Sequence, residues 1–541
     1  MCGIFAYLSD KNLDDSIQDL VKLKISLNTY FLLGKNRGPE SSNKLVLSNL
    51  FLGFHRLAIN GLDENSNQPF CIDGIFLICN GEIYNYKELY SSFDISQATT
   101  NSDCEVIIHM YKKYGIEYTV ENLDGVFAFV LYDSLNKKLI VARDPYGVRP
   151  LYIHSSQTEL IIASELKQLL NQKGEYYPPG HYSIYSNENE NQVVLEKSMK
   201  YTSFPFKMNS VNDIRFNIYS FLLNAVKKRT IGTTDRPIAC LLSGGLDSSV
   251  ITAMVNSFLP PGQLETYSIG FSGSVDLKYA KIVADYLKTK HTEIIITEDD
   301  YFNAIPEVIY NIESYDTTTI RASIGNYLVA KHISKNSKAK VIFNGDGSDE
   351  LTGGYLYFNN CKNPVEFDKE TKRLLRDIHM YDVLRSDKSI SSNGLEPRTP
   401  FLDRGFVEYY LSIPANIRCH AFNNKCEKYL LRESIEYVNS TLLPREILYR
   451  RKEAFSDGIS SQDNKTPWYT KINININSND SSLSNEMKDY YLINNPTTNE
   501  MKYYRTIFDS YFTNSEIVKY FWMPRYVNAT DPSARMLECY S

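Results

Sequence analysis

The sequence predicts two α/β domains in series. The first is a layered α+β domain of mixed antiparallel strands with helices. The second is a doubly wound parallel α/β domain that ends in a helical part. Three observations predict this. At 541 residues the chain is too long for a single core. Short strand-like runs separated by turn residues fill the first part, whereas the second alternates short apolar runs with helical periodicity. Two glycine turns, Ser243-Gly244-Gly245 and Asn344-Gly345-Asp346-Gly347, each follow such an apolar run.

Residues 45–54, 75–79, 126–133, 138–143 and 160–163 are apolar, partly alternating runs and predict strands. Residues 14–33 and 103–114 carry apolar residues at spacings of three and four and predict helices. Tyr177-Pro178-Pro179-Gly180 and the polar stretch 186–191 predict a hairpin turn, and the domain boundary is expected within residues 203–212. Residues 237–242, 266–271, 294–297 and 340–343 predict strands, and 248–259 and 278–287 helices between them. Ligands of such sheets bind beyond the carboxyl ends of the strands, where both glycine turns fall. The chain beyond Arg404 is expected to be mostly helical, with residues 471–489 as a mobile loop.

A hydrophobic content of 43% and a charged content of 23% belong to a soluble globular protein. The net charge of −6 argues against a nucleic-acid partner, because phosphate-binding surfaces are basic. Nine cysteines without a CxxC pair indicate neither a zinc site nor a disulfide scaffold, but a reducing compartment. No apolar run reaches the ~18 residues that span a bilayer, and no signal-peptide pattern opens the chain. The expectation is a cytoplasmic protein with small-molecule substrates and no membrane partner.

Cys2 directly follows Met1. If Met1 is removed, the α-amine of Cys2, with an ordinary pKa near ~8, lies beside its own thiol and can act as its general base. Arg37-Gly38-Pro39-Glu40, His55-Arg56-Leu57-Ala58-Ile59, Asn80-Gly81-Glu82, Ser102-Asp103 and Arg143-Asp144-Pro145-Tyr146-Gly147 follow in order. Alone, Asn80-Gly81 is a turn signal, Asp103 a helix cap and Arg56 a surface ion pair. In this order behind a second-position cysteine, they resemble the class II glutamine amidotransferases, across the whole first domain (2–205). The resemblance implies an Ntn-hydrolase-type αββα sandwich in which Cys2 attacks the glutamine side-chain amide. It further implies that the Asn80 side chain and the Gly81 N–H form an oxyanion hole, worth about 3–4 kcal/mol per donor. Arg56 would hold the substrate carboxylate, Glu82 and Asp103 its ammonium, and Leu57, Ala58, Ile59 and Asn60 would line the pocket.

Leu242-Ser243-Gly244-Gly245-Leu246-Asp247-Ser248-Ser249 closes a strand and opens a helix, so backbone amides and a helix amino terminus make an anion site. It resembles the PP-loop of ATP pyrophosphatases. Tyr267-Ser268-Ile269-Gly270-Phe271, the stretch from Thr318 to Arg321, Gly345-Asp346-Gly347-Ser348-Asp349-Glu350, Asp382-Val383-Leu384-Arg385, Glu396-Pro397-Arg398 and Lys452-Glu453-Ala454-Phe455 then narrow it. Together they are similar to the glutamine-hydrolysing asparagine synthetases over nearly the entire chain, with a synthetase domain at 212–541.

That resemblance implies the substrates L-glutamine, L-aspartate and ATP, with Mg²⁺ held through Asp247, and a homodimer. Leu242 and Ile269 would contact adenine, Asn344-Gly345 would border the nucleotide, and Ser243, Gly244, Gly245, Ser248 and Ser249 would meet phosphate. Lys452 would neutralise phosphate charge. Thr318, Arg321 and Asp349 would place aspartate or pyrophosphate. Asp346 stands where these synthetases usually carry Glu, losing one methylene of reach at a residue expected to act in adenylation. Glu40 likewise stands where Asp is common. Two rival readings accompany this one. One is a related amidotransferase acting on another carboxylate, the β-lactam synthetases being similar without needing a glutaminase nucleophile. The other is a synthetase-derived protein without catalytic activity.

Overall fold

The structure, a computed structural model, describes residues 1–13, 18–93, 95, 98–186, 192–201, 214–232, 234–452, 472 and 493–533. Its first half holds β1 (Gly3–Ser9), α1 (Gln18–Leu32), β2 (Ser41–Leu47), β3 (Leu50–Arg56), β4 (Phe70–Ile72), β5 (Ile75–Ile83) and α2 (Val106–Asn122). These are followed by β6 (Gly125–Asp133), β7 (Lys138–Arg143), β8 (Tyr152–Ser155), β9 (Glu159–Ala163), β10 (Glu175–Tyr176), β11 (His181–Ser186) and β12 (Val194–Lys200). They form two antiparallel sheets, ordered β10-β8-β9-β1-β3-β2 and β12-β11-β7-β6-β5-β4.

The period-2 alternation of the strands explains the layering. Ile4, Ala6, Leu8, Leu50, Leu52 and Phe54 point inward from one sheet and meet Ile78, Ala128, Val130 and Val141 of the other. The alternate residues Leu77, Phe127, Phe129 and Ile140 pack outward on Val106, Ile107 and Met110 of α2. Phe5, Tyr7 and Phe51 pack outward on Leu27 and Phe31. The result is the expected αββα sandwich. The outer cluster around Phe5 also takes in Tyr301, Ile305, Val308 and Ile320 of the second half, so the two halves share one core.

The second half holds α3 (Ile214–Thr230), β13 (Ile238–Leu241), α4 (Leu246–Asn256), β14 (Glu265–Gly270), α5 (Val275–Leu287), β15 (Lys290–Ile295), α6 (Thr317–Asn336) and β16 (Val341–Phe343). After these come α7 (Asp382–Ser391), β17 (Glu396–Arg398), α8 (Arg404–Ser412), α9 (Tyr429–Val438) and α10 (Asn499–Tyr511). The sheet order is β15-β14-β13-β16-β17, and every pairing is parallel. Both glycine turns follow the two neighbouring strands β13 and β16 at their carboxyl ends.

Several expectations needed correction. The run 45–54 is two strands, because Ser48-Asn49 makes a tight turn that pairs Leu47 with Leu50. The strand expected at 294–297 begins earlier, at Lys290. As a sheet edge it alternates with polar residues that hide it from an apolar search. β17 carries no strand signal, because its three residues, Glu-Pro-Arg, set two charged side chains around a proline and yet are buried. β11 and β12 pair as the expected hairpin. The boundary 203–212 and the loop 471–489, apart from Ile472, lie outside the described residues.

Candidate functional site

In the first half, Cys2 sits at the head of β1, and its thiol donates to the Leu57 carbonyl at 3.6 Å. Burial pushes the Cys2 thiol up, so a base must generate the thiolate. Asn80 and Gly81 lie on β5, in the sheet that faces β1 across the sandwich. Asn80 is wholly buried, and neither its amide nitrogen nor its amide oxygen has a hydrogen-bond partner among the described residues. A buried carboxamide is costly to leave unpaired, so this one is poised for a ligand. A side chain at Gly81 would meet the Val126 carbonyl oxygen at 2.6 Å, so only glycine lets β5 lie this close to β6.

The loop after β3 and the turn before α2 meet at the end of β5. Arg56 is buried and donates to the carbonyls of Asp63 (2.9 Å) and Gly61, so it is no surface ion pair. Asn60 donates to Glu82 at 3.1 Å. The Ala58 N–H is held by Glu40 at 2.9 Å, the Ala58 carbonyl by Arg236 at 2.8 Å, and the Ile59 carbonyl by the Asp235 N–H at 2.8 Å. Glu40 also pairs with Arg236 at 2.8 Å, which ties this loop to the second half. The helical cap near Asp103 is Ser102, and Asp103 instead accepts the Ile83 N–H at 2.6 Å inside the pocket. Burial raises the Asp103 carboxyl to about 6 despite that bond. Burial and the neighbouring Asp103 raise Glu82 well above the carboxylate range. Two such carboxyls ionise more readily when a cation enters.

The second centre is the cleft beyond β13 and β16. It is lined by Leu242, Ser243, Gly245, Asp247, Ser248, Ile269, Thr318, Asn344, Gly345, Asp346, Asp349 and Lys452. At Gly244, φ is +70° and a Cβ would lie 2.4 Å from the backbone of Tyr279 and Ala280, so the turn demands glycine. Ser249 does not join the lining; it is wholly buried in α4.

Arg321 was expected to supply positive field for aspartate or pyrophosphate, and the structure does not bring it to the cleft lining. Its guanidinium forks onto Glu500 (2.8 and 2.5 Å) and Asp531 (2.8 and 2.7 Å), neither of which lines the cleft. The cations of the cleft are others. Lys428, buried, reaches Asp247 at 2.5 Å and Asp349 at 2.6 Å, and Lys452 reaches Asp349 at 2.6 Å. Burial pushes the Asp349 carboxyl up, but Lys428 and Lys452 beside it bring it far below the ordinary range. Arg385 and Arg450 also line the cleft. Sequence reasoning missed Lys428, since nothing in Cys426-Glu427-Lys428 marks it. Arg385 belongs to the Asp382-Val383-Leu384-Arg385 motif, in which the sequence marks no role for it.

Two carboxylates, Asp247 and Asp349, face each other across Lys428. No group of three or more His, Cys, Asp or Glu placed to hold a metal ion occurs among the described residues. That donor set fits a hard divalent ion shared with phosphate oxygens and water, not one caged by protein. Asp346 extends into the cleft from the β16 turn. Its Oδ1 accepts from Arg385 at 3.1 Å, and its Oδ2 is buried without a hydrogen-bond partner among the described residues.

The geometry matches what comparison with known proteins finds. A family model described as asparagine synthase matches residues 217–365 and 359–485, and one described as a glutamine amidotransferase domain matches residues 1–192. The chain is 41% identical to an asparagine synthetase [glutamine-hydrolyzing] of Gallus gallus. It is 40% identical to those of Rattus norvegicus and Homo sapiens. Each comparison covers 100% of this chain and 99% of the other protein.

Proposed function

The chain belongs to the glutamine-hydrolysing asparagine synthetases, and on that premise we propose how its residues make asparagine. It is an ATP-dependent carbon–nitrogen ligase that takes nitrogen from glutamine. Removal of Met1 frees the Cys2 α-amine. That amine accepts the thiol proton as sulfur attacks the glutamine side-chain carbon. Negative charge passes to the carbonyl oxygen, where the Asn80 side chain and the Gly81 N–H receive it. The carbon–nitrogen bond breaks with proton return, ammonia leaves, and water cleaves the thioester to glutamate. The observation that carries this reading is the buried carboxamide of Asn80, without a hydrogen-bond partner among the described residues, in the sheet facing Cys2.

At the second centre the aspartate β-carboxylate attacks the α-phosphorus of ATP, forming β-aspartyl-AMP and releasing pyrophosphate. Ammonia then attacks the acyl carbon and displaces AMP. Two anions must meet, and Lys428, Lys452, Arg385 and Arg450 offset their repulsion. Leu242 and Ile269 flank adenine, and Ser243, Gly245 and Ser248 receive phosphate at the amino end of α4. Asp247 with Asp349 would hold Mg²⁺, which supplies further charge neutralisation on the phosphates. The proposed domains are 2–205 and 212–541, and the proposed assembly is a cytoplasmic homodimer. Among the described residues no helix is long and apolar enough to cross a membrane.

The test measures AMP, pyrophosphate and glutamate release with and without aspartate. Aspartate-dependent AMP and pyrophosphate in equal amounts are expected. Phosphate and ADP, or no aspartate dependence, would sink the reading.

The Asp103 carboxyl adds a pH signature. With its folded value at about 6, it is ionised above that pH and protonated below. Glutamine's ammonium needs the ionised form, so kcat/KM for glutamine is expected to gain an additional fall of about tenfold per unit as pH drops below ~6, beyond the falls set by Glu82 and the Cys2 α-amine. In Asp103→Asn that added steepness disappears and the KM for glutamine is raised at every pH. An unchanged slope below ~6 in the variant would assign the titration elsewhere.

A further inference from the structure

We infer that Asp387, a residue of the synthetase half, is a positioning residue for the glutaminase centre: it orients Arg37, and through Arg37 the backbone that carries Cys2. This rests on reading Cys2 as the nucleophile. Arg37 spends its guanidinium on three acceptors: Nε donates to the Cys2 carbonyl at 3.0 Å, one terminal nitrogen to Glu165 at 2.7 Å, and the other to Asp387 at 2.8 Å. Both Arg37 and Asp387 are 1% exposed, so water does not substitute for any of these bonds. Asp387 is itself fixed, by Arg149 at 3.5 Å and by the Ser391 hydroxyl at 3.3 Å.

Asp387 lies on α7, and its neighbours on that helix hold the other centre. Asp382 accepts the Gly347 N–H at 3.2 Å, Arg385 donates to Asp346 at 3.1 Å, and the Ser386 hydroxyl accepts from the Asn344 side chain at 2.7 Å. One residue after Ser386, the same helix grips Arg37. A rigid turn with 1.5 Å rise per residue therefore links the adenylation loop to the nucleophile's main chain. Lys388, next along, pairs with Glu165 at 3.3 Å and with Glu313, so the second acceptor of Arg37 is also set from α7. Neutralising Asp387 leaves a buried guanidinium with one carboxylate, and it will re-aim toward Glu165. The Cys2 carbonyl then loses a donor of fixed direction.

The test is Asp387→Asn, which keeps the shape. Glutamate release from glutamine is expected to fall at least ~tenfold more than ammonia-dependent asparagine formation on the same preparation, in kcat and not KM. A parallel fall in both reactions, or no fall in glutaminase, would overturn the inference. Because Asp387 is assigned to act through Arg37, adding Asp387→Asn to Arg37→Lys should cost less than about twofold more glutaminase, whereas multiplicative losses would overturn it. Should the asparagine variant not fold, Asp387→Glu moves the charge by one methylene and is expected to give the same split, a proportional fall again counting against it. Wild-type protein that uses ammonia and never glutamine would overturn the reading of Cys2 and this inference together. A parallel fall overturns this inference alone.

Discussion

Replacing Cys2 by alanine is expected to lower glutamine-dependent asparagine formation by more than ~1,000-fold while ammonia-dependent formation stays within about twofold. The size follows from the chemistry. Cys2 is the thiol that gains a free α-amine as its base, whereas Cys104, the thiol beside Gly81, is buried against the Gly81 carbonyl and pushed well up, so without the Cys2 thioester the Asn80–Gly81 donors have no tetrahedral oxyanion to receive. The selectivity follows from the structure. The Cys2 thiol touches the Leu57 carbonyl and packs partly buried on the inter-sheet core, so alanine removes one sulfur atom and leaves β1 paired to β3 and β9. The ATP cleft draws its lining from residues 241–452 and Trp522, none of which is in the amidotransferase sheets. Parallel assays with glutamine and with ammonium salts check it. Loss of both activities would make Cys2 a folding residue or part of the acceptor site.

What the sequence made legible, and what it hid, follows physical lines. Strands buried on both faces, such as Lys138–Arg143 and Gly125–Asp133, are near-continuous apolar text and were placed within a residue. The glycine turns were legible because backbone constraint leaves glycine in the text, as at Gly244 and Gly347 with φ of +70° and +88°. Edge and polar strands were legible in part or not at all: β15 shows apolar residues only at its end, Ile294-Ile295, and β17 sets two charged residues around a proline. In the site, residues that sit within a contiguous motif were found, including Asp247, Asn344, Asp346 and Lys452. Lys428 and Asp387 were not, since their meaning lies in partners far along the chain: Asp247, 181 positions away, and Arg37, 350 positions away. Arg321 shows the converse. Folding brings Glu500 and Asp531 onto this motif arginine and takes its guanidinium away from substrate. Buried charge is thus where pattern reading loses force, because pairing decides what a charge does.

The second large effect is expected at Asp346. Asp346→Ala should lower asparagine formation from either nitrogen source by ~100-fold or more, with glutamate release from glutamine spared. The loop that carries it is over-determined. Asn344 Oδ1 accepts the Asp346 N–H at 3.3 Å, and the Asn344 side-chain nitrogen bonds Ser386 at 2.7 Å. A Cβ on Gly347 would lie 2.5 Å from Leu402, so the turn cannot relax there. Into that fixed loop the chain places a carboxylate with one oxygen on Arg385 and the other buried and unpartnered among the described residues, aimed at the cleft. Burial pushes its carboxyl up, and Arg385 beside it offsets this only in part. Asp346→Glu extends the reach by a methylene while Asn344 still sets the backbone. The expected change there is less than about tenfold, since a flexible side chain can fold back where a missing carboxylate cannot be replaced. Pyrophosphate release and asparagine formation measured together separate the steps. If alanine slows asparagine formation but not pyrophosphate release, Asp346 acts on the amine. If it slows both equally, it acts in adenylation, and full activity in the alanine variant would remove it from the reaction altogether.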